Sequence, residues 1–264
     1  MRFEKYQGTG NDFVLLDGRN VDVEILDIKT VKNLCDRKFG IGADGLMLIA
    51  TSTLADFKMI YYNSDGKEGS MCGNGARCAV AFSYKAGIIS KMHTRFETCD
   101  GIHYANIMED ENSDSLVIEI SMNDVNNAER AGDQFVINTG SPHYIEFCSG
   151  IATMDVTKQG RAIRNQEKFI KDGINVNFVE ENDGHIAMRT YERGVENETL
   201  SCGTGVTAAA LAFAIKHNLS GKHFQEVRTL GGPLQVNFYT DGKLFSEITL
   251  TGPAAFIFKG EITI

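Results

Sequence analysis

Two cysteines stand in closely similar surroundings, and a cysteine thiol can act as an acid or a base near neutral pH. Cys72 lies in SMCGNGARC and Cys202 lies in LSCGTGVTAAA. Each is followed by glycine and then by small apolar residues, a pattern that predicts a helix beginning at the cysteine. The unpaired amide hydrogens and the positive dipole end of such a helix stabilise an anion. We therefore expect both thiols to have pKa values lowered from about 8.5 toward neutrality.

Two such thiols indicate proton transfer at carbon. If they face one cleft, a thiolate on one side can remove a proton from a carbon, and a thiol on the other side can return one to the opposite face. That reaction is stereoinversion without a cofactor. The glycine after each cysteine would let backbone amides approach a bound carboxylate closely.

The two cysteine motifs have other possible interpretations. Gly203, Gly205 and Ala208 have the spacing of a dinucleotide fingerprint, but residues 196–200 do not form a buried parallel strand and no acidic residue follows at the usual distance. A cysteine hydrolase would leave the second motif unexplained. Cys-Gly-x-Gly can also simply open a tightly packed helix. A disulfide between Cys72 and Cys202 would be an oxidised, inactive form.

The elements that must position these cysteines are mostly short strands. Two helices are predicted at Asn74–Lys85, stopped by Gly87, and at Thr204–His217, and both are apolar on nearly every face, which is typical of buried helices. A third is predicted from a Thr30 cap to Gly40. The predicted strands are Phe13–Leu16, Leu46–Ile49, Asp56–Tyr62, His93–Thr98, Leu116–Ser121, Phe135–Asn138, His143–Phe147, Asn175–Val179, His185–Tyr191, Leu234–Tyr239 and Phe245–Leu250.

The surroundings of the two cysteines repeat along the chain. A shift of 202 − 72 = 130 residues, about half of the 264-residue length, superimposes identical residues. The matched pairs are Tyr61 and Tyr191, Glu68 and Glu198, Cys72 and Cys202, Gly73 and Gly203, Gly75 and Gly205, and Ala79 and Ala209. This repeat predicts an α+β fold of two pseudo-symmetric domains, each a curved sheet or barrel wrapped around a central buried helix. We expect an N-terminal domain at 1–120, completed by a C-terminal strand at 253–264, and a C-terminal domain at 121–252.

Composition narrows the class of protein. The chain has 42% hydrophobic and 23% charged residues, which is ordinary for a globular protein. A net charge of −9 argues against binding to nucleic acid or to an anionic membrane, which are themselves negatively charged. The polar start MRFEKYQGTG is not a signal peptide, so we expect a soluble cytoplasmic protein with reduced cysteines. None of the six cysteines has zinc-ligand spacing, and the sequence offers no recognisable metal or cofactor site.

Motifs from end to end carry a family resemblance. They are GTGNDFVLLD at 8–17, FGIGADGL at 39–46, YNSDGKEGSMCGNGARC at 62–78, NTGSPH at 138–143, GINVNF at 173–178, YERGVENETLSCGTG at 191–205 and GPA near the end. With these motifs the chain resembles the diaminopimelate epimerase family, cofactor-independent enzymes that interconvert L,L- and meso-diaminopimelate in lysine and peptidoglycan precursor synthesis. The resemblance implies two similar domains, an amino-acid substrate and a homodimer.

The resemblance also implies roles for individual residues. Cys72 and Cys202 match the two catalytic bases. The amides of Gly73-Asn74 and Gly203-Thr204 match the cradle of the α-carboxylate. His143 and Glu192 match the polar neighbours that tune the thiols. The side chains that match the surroundings of the substrate are those of Asn11, Asn63, Asn175, Glu192 and Arg193, with Arg193 suited to gripping the remote carboxylate.

One position departs from the family pattern. Ser141 stands before Pro142 and His143 where the family commonly has asparagine, and serine is too short to replace that amide at the same reach.

Two competing functions stay open at this point. One is a racemase of proline, hydroxyproline or histidine. The other is a thiol-based redox or binding protein without turnover, which is disfavoured because redox proteins usually place a resolving cysteine close by.

Overall fold

The computed structural model describes residues 1–20, 25–108 and 114–263. Within them lie four α-helices, namely α1 (Ile28–Cys35), α2 (Gly73–Lys85), α3 (Val156–Arg164) and α4 (Gly203–Lys216). The strands of the same residues are β1 (Arg2–Gly8), β2 (Asn11–Asp17), β3 (Gly45–Ala50), β4 (Phe57–Asn63), β5 (His93–Thr98), β6 (Gly101–Met108), β7 (Ser115–Ser121), β8 (Ala128–Ala131), β9 (Gln134–Asn138), β10 (Pro142–Phe147), β11 (Asn175–Asn182), β12 (His185–Glu192), β13 (Asn197–Thr199), β14 (Gly221–Thr229), β15 (Gly232–Thr240) and β16 (Phe245–Glu261). Ile264 of the predicted C-terminal strand, and residues 21–24 and 109–113 of the predicted N-terminal domain, lie outside the described residues.

The first of two units comprises Met1–Ile120 and Gly252–Ile264. Its strands follow the order β1-β2-β3-β4-β5-β6-β7-β16, and β16 pairs with β1, which closes an eight-stranded barrel. Helix α2 contacts β1, β2, β3, β4 and β6, and its residues from Gly73 to Ser83 are all buried. The barrel therefore surrounds α2, and the small residues of this helix let the strands approach it on all sides.

The second unit comprises Ser121–Thr251. Its strands follow the order β8-β9-β10-β11-β12-β14-β15-β16, with β13 added beside β12 and a single bridge between Val125 and Phe245 of β16. Helix α4 contacts β9, β10, β11, β12, β14 and β15. Its alanines are buried on every side, so α4 is the central helix of this unit.

The two units share one strand plan. In the first unit the parallel pairs are β2–β3 and β4–β5, joined through α1 and α2. In the second they are β10–β11 and β12–β14, joined through α3 and α4. The predicted α+β fold, with sheets wrapped around central buried helices, is confirmed. No helix in the described part of the chain is long and apolar enough to cross a membrane.

Helix α1 differs from its prediction at both ends. The cap is Asp27, whose side chain accepts a hydrogen bond from the backbone N of Thr30 at 2.7 Å, so Thr30 lies inside the helix and the prediction of a Thr30 cap was wrong. The helix ends at Cys35. Gly40 then packs against the last turn, where a Cβ would lie 1.9 Å from the carbonyl oxygen of Asn33.

Candidate active site

Both thiols occupy the N-cap position of a central helix. Cys72 precedes α2 and Cys202 precedes α4, each with extended backbone angles. Their carbonyl oxygens accept the first helical hydrogen bonds, from Ala76 N at 2.7 Å and from Val206 N at 2.8 Å. The first amides of each helix have no intrahelical acceptor and lie directly after the thiol, where they can bind an anion.

The other four cysteines offer less thiol chemistry. All six cysteines are free thiols. Burial raises the pKa of both Cys35 and Cys78 to about 12, and burial also raises the pKa of Cys148. Cys99 is exposed on the turn after β5. The partly buried Cys72 and Cys202 are therefore the thiols that combine access to solvent with a helix start.

In the first unit, Asn11 connects the helix start to the beginning of β2. Cys72 Sγ lies 3.7 Å from Asn11 Oδ1, and Asn74 Nδ2 donates to the same oxygen at 3.5 Å. Asn11 Nδ2 donates to Asp44 Oδ2 at 2.7 Å. Because a carboxylate only accepts, this bond fixes the amide orientation and turns Oδ1 toward the sulfur.

A charged network holds Asp44 in place. The Arg37 guanidinium bridges Asp44 Oδ1 at 2.7 Å and Asp12 Oδ1 at 2.6 Å, and Lys5 Nζ lies 2.8 Å from Asp12 Oδ2. Burial by itself would raise the pKa of Asp12, but the hydrogen bonds from Arg37 and Lys5 outweigh it and lower that pKa to about 2. Asp44, which the sequence analysis did not single out, is thus the residue that orients Asn11.

A buried guanidinium lies one turn into α2. Arg77 is fully buried, and its hydrogen bonds reach Asn74 Oδ1 at 2.9 Å, Gly73 O at 3.2 Å and Thr9 Oγ1 at 3.4 Å. Burial lowers its pKa to about 10, so it stays protonated at neutral pH. A charged residue among the small residues that begin a buried helix is the sequence signal for Arg77.

In the second unit, a hydrogen-bonded chain approaches Cys202. Thr204 Oγ1 lies 3.5 Å from Cys202 Sγ and 2.9 Å from His143 Nε2. His143 Nδ1 lies 3.0 Å from Asn177 Nδ2, and Thr190 Oγ1 donates to Asn177 Oδ1 at 3.0 Å. Asn177 was not predicted. Its signal is the spacing of Asn175 and Asn177, which places both asparagines on one face of β11.

Asn175 joins two other candidate residues. Its Nδ2 donates to Ser141 Oγ at 2.8 Å, and its Oδ1 accepts from the backbone N of Arg193 at 2.8 Å. Ser141, the departure from the family pattern, is therefore a support for Asn175. The exposed Arg193 follows β12, and its Nη1 donates to Asp172 O at 3.0 Å.

Two further predicted residues lie at the ends of strands. Glu192 Oε2 accepts from Thr199 Oγ1 at 2.9 Å, at the end of β12. Asn63 is exposed at the end of β4, where its backbone N donates to Lys67 O at 2.8 Å. In the same residues no group of three or more histidine, cysteine or carboxylate side chains could hold a metal ion.

The fold of this chain is shared with solved structures of two kinds of protein. A phenazine biosynthesis protein of the PhzF family from Bacillus anthracis matches with a TM-score of 0.76 at 16% identity, over 100% of this chain and 99% of that one. A probable proline racemase from Agrobacterium radiobacter matches with a TM-score of 0.74 at 14% identity, over 100% of this chain and 93% of that one. At these identities the likeness is one of fold.

Sequence comparison then identifies the family. The family model for diaminopimelate epimerase matches residues 3–126 and 135–257, and the chain belongs to this family. A diaminopimelate epimerase from Flavobacterium psychrophilum is 42% identical over 99% of this chain and 100% of its own length. Another from Aquifex aeolicus is 37% identical over 100% of this chain and 98% of its own length.

Proposed function

We propose that this protein interconverts L,L- and meso-diaminopimelate by proton transfer between Cα and two cysteine thiols. The observation that carries the proposal is the repeated geometry: Cys72 and Cys202 cap the central helices of two units with one strand plan. The family membership of the chain supports the choice of substrate.

In this reaction one cysteine acts as thiolate and the other as thiol. The thiolate removes the hydrogen from Cα, and the thiol delivers a proton to the opposite face, so the sulfurs exchange roles in each turnover. The amides of Gly73, Asn74, Gly203 and Thr204 bind the α-carboxylate and stabilise the negative charge that develops as the proton leaves. Pyridoxal phosphate and metal take no part in this scheme.

The distal end of the substrate carries a second amino acid group. The backbone N of Arg193 donates to Asn175, and its exposed guanidinium donates to Asp172 O. A guanidinium suits a bidentate grip on the remote carboxylate. Asn11, Asn63 and Glu192 supply polar atoms around the substrate in the same proposal.

The biological setting follows from the reaction. Epimerisation of diaminopimelate supplies the meso isomer to lysine and peptidoglycan precursor synthesis, in the cytoplasm, where thiols stay reduced. A homodimer is part of the proposal. An apolar patch on the first unit supports it, formed by Met108, Val117 and Pro253 side by side across β6, β7 and β16, with Ile257 exposed further along β16.

The test is to supply substrate in heavy water and follow Cα by NMR. We expect deuterium at Cα of L,L-diaminopimelate and growth of the meso isomer, with no added cofactor and in the presence of a chelator. L-Proline and L-histidine serve as comparison substrates, and no Cα exchange is expected with either. Exchange with proline or histidine and not with diaminopimelate would overturn the proposal in favour of another amino-acid racemase.

A further inference from the structure

Asn177 fixes the direction of every hydrogen bond in the chain that leads to Cys202. Its amide nitrogen lies 3.1 Å from Tyr144 O and 3.0 Å from His143 Nδ1. Because the Tyr144 carbonyl only accepts, the atom facing it must be the NH₂ group. The other end, Oδ1, accepts from Thr190 Oγ1 at 3.0 Å. The amide orientation is thus set by two neighbours besides His143.

The histidine tautomer follows from this orientation. An NH₂ group donates to His143 Nδ1, so Nδ1 carries no hydrogen and a neutral ring must carry its hydrogen on Nε2. His143 Nε2 lies 2.9 Å from Thr204 Oγ1 and donates to it. The hydroxyl hydrogen of Thr204 is then free to point away from His143, toward Cys202 Sγ at 3.5 Å.

The ring is neutral because of where it lies. His143 is fully buried, and burial, followed by the positive charge of Arg193, lowers its pKa to about 3. Helix α4 packs closely on the side chains of His143 and Asn177. A Cβ on Gly205 would lie 2.7 Å from Asn177 Oδ1 and 3.3 Å from His143 Nδ1, so the first turn of α4 rests directly on both side chains.

We propose that Asn177 is a positioning residue which, through the fixed tautomer of His143 and the hydroxyl of Thr204, directs a hydrogen bond to the sulfur of Cys202 and stabilises its thiolate. The catalytic role of this hydrogen bond to Cys202 rests on the proposed function, whereas the hydrogen bonds themselves do not depend on it. Cys72 has the opposite kind of neighbour, since Asn11 Oδ1 is an acceptor. The arrangement therefore acts on Cys202 selectively, and Cys72 is an internal control in the same molecule.

The first experiment observes the tautomer in the unmodified protein. Nitrogen-15 NMR of the ring nitrogens, with His143 assigned by its loss in His143→Gln, should show a neutral ring protonated on Nε2 throughout pH 6–9. A ring protonated on Nδ1, or one that titrates within this range, would overturn the proposal. This measurement needs no substrate, and the tautomer is read from the wild-type protein.

The second experiment measures how the reactivity of the Cys202 thiol depends on pH. The rate of iodoacetamide alkylation of each cysteine is followed against pH by peptide mass mapping. Thr204→Val and Asn177→Leu should raise the alkylation midpoint of Cys202 by about one to two pH units, the effect of losing a hydrogen bond to a charged group, and leave that of Cys72 in place. Thr204→Ser should restore it. Thr207→Val is the matched control, because the Thr207 hydroxyl on the same helix donates to Gly203 O instead.

The outcomes separate this inference from the proposed function. An unchanged Cys202 midpoint in Thr204→Val, or equal shifts at both cysteines, would contradict the role of the chain. In turnover assays the same variants should lower kcat about tenfold or more with KM changed far less, because the substrate contacts remain. A protein that fails to epimerise diaminopimelate but shows the Nε2 tautomer and the selective midpoint shift would refute the proposed function alone.

Discussion

A buried charge is present at one of the two helix starts and absent from the other. Arg77 in α2 corresponds, 130 residues on, to Thr207 in α4. The Arg77 charge stabilises the Cys72 thiolate, so Arg77→Met should raise the pKa of Cys72 by about one to two units. Activity should then fall at neutral pH and recover as the pH rises. The alkylation midpoints of Cys72 and Cys202 check this, and Arg77→Lys is the charge-conserving control. If the alkylation midpoint of Cys72 is unchanged in Arg77→Met, the charge of Arg77 does not stabilise the Cys72 thiolate.

The buried His143 makes stability depend on pH. The pKa of His143 is lowered to about 3 in the folded protein, and the unfolded chain has the ordinary value near 6.5. The unfolded state therefore binds the extra proton between these values. This contribution to the free energy of unfolding is complete above pH 6.5 and is lost as the pH falls toward 3. We expect urea unfolding at pH 4 to 7 to show a shallower pH dependence in His143→Gln than in the wild type. The half-buried His185, replaced in His185→Gln, serves as the comparison and should leave the slope unchanged, and equal slopes in all three proteins would exclude the effect.

At the scale of elements, the third residue of each central helix tests how closely the strands pack on it. A Cβ on Gly205 would strike Asn177 Oδ1 at 2.7 Å and the His143 ring, whereas a Cβ on the equivalent Gly75 would meet mainly the flexible end of Met47. We expect Gly205→Ala to destabilise the protein by about 1–3 kcal/mol and to lower activity, because well-packed polar side chains must move. Gly75→Ala should cost less, since Met47 can turn aside and alanine favours the helix. Denaturant unfolding and turnover of both variants measure the difference, and a larger loss in Gly75→Ala would contradict it.

The elements also show where the sequence was informative. The central helices and eleven strands were predictable because their apolar patterns are strong, and each predicted strand overlaps one in the structure. Strand β1 was missed because it buries Lys5, whose ion pair with Asp12 joins residues of two strands. Helix α3 was missed because it is mostly polar and contains Gly160, which only the close approach of Tyr191 explains.

The residues of the candidate site, like the strands and helices, were predictable only in part. The two cysteines could be found because a repeat and a helix start mark them in the sequence. The roles of Asp44, Arg77 and Asn177 could not be predicted, since they arise from contacts between elements: Asp44 with Asn11, Arg77 with Thr9, and Asn177 with His143. A charge or an amide in one strand or helix does not reveal its partner in another.

At the scale of the whole molecule, the apolar patch of the first unit predicts the state of assembly. Val117 is 38% exposed between Met108 and Pro253, and in the proposed homodimer a second copy of the chain covers it. If the proposal is correct, a charge placed there should weaken association at least about tenfold, so the wild type should sediment as a dimer and Val117→Asp as a monomer at the same concentration. Phe224→Asp changes an exposed residue of the second unit and should remain dimeric. A Val117→Asp protein with the mass of the wild type would place the contact elsewhere.

The central claim is that each unit contributes one of two complementary bases. Its most direct test follows α-hydrogen exchange in heavy water, from L,L- and from meso-diaminopimelate separately, in Cys72→Ala and Cys202→Ala. Both variants should lose inversion, because it needs both thiols. Each should still exchange the α-hydrogen of one stereoisomer faster than that of the other, with opposite preferences in the two variants. Inversion at near wild-type rate in either variant, or the same preference in both, would contradict the two-base account.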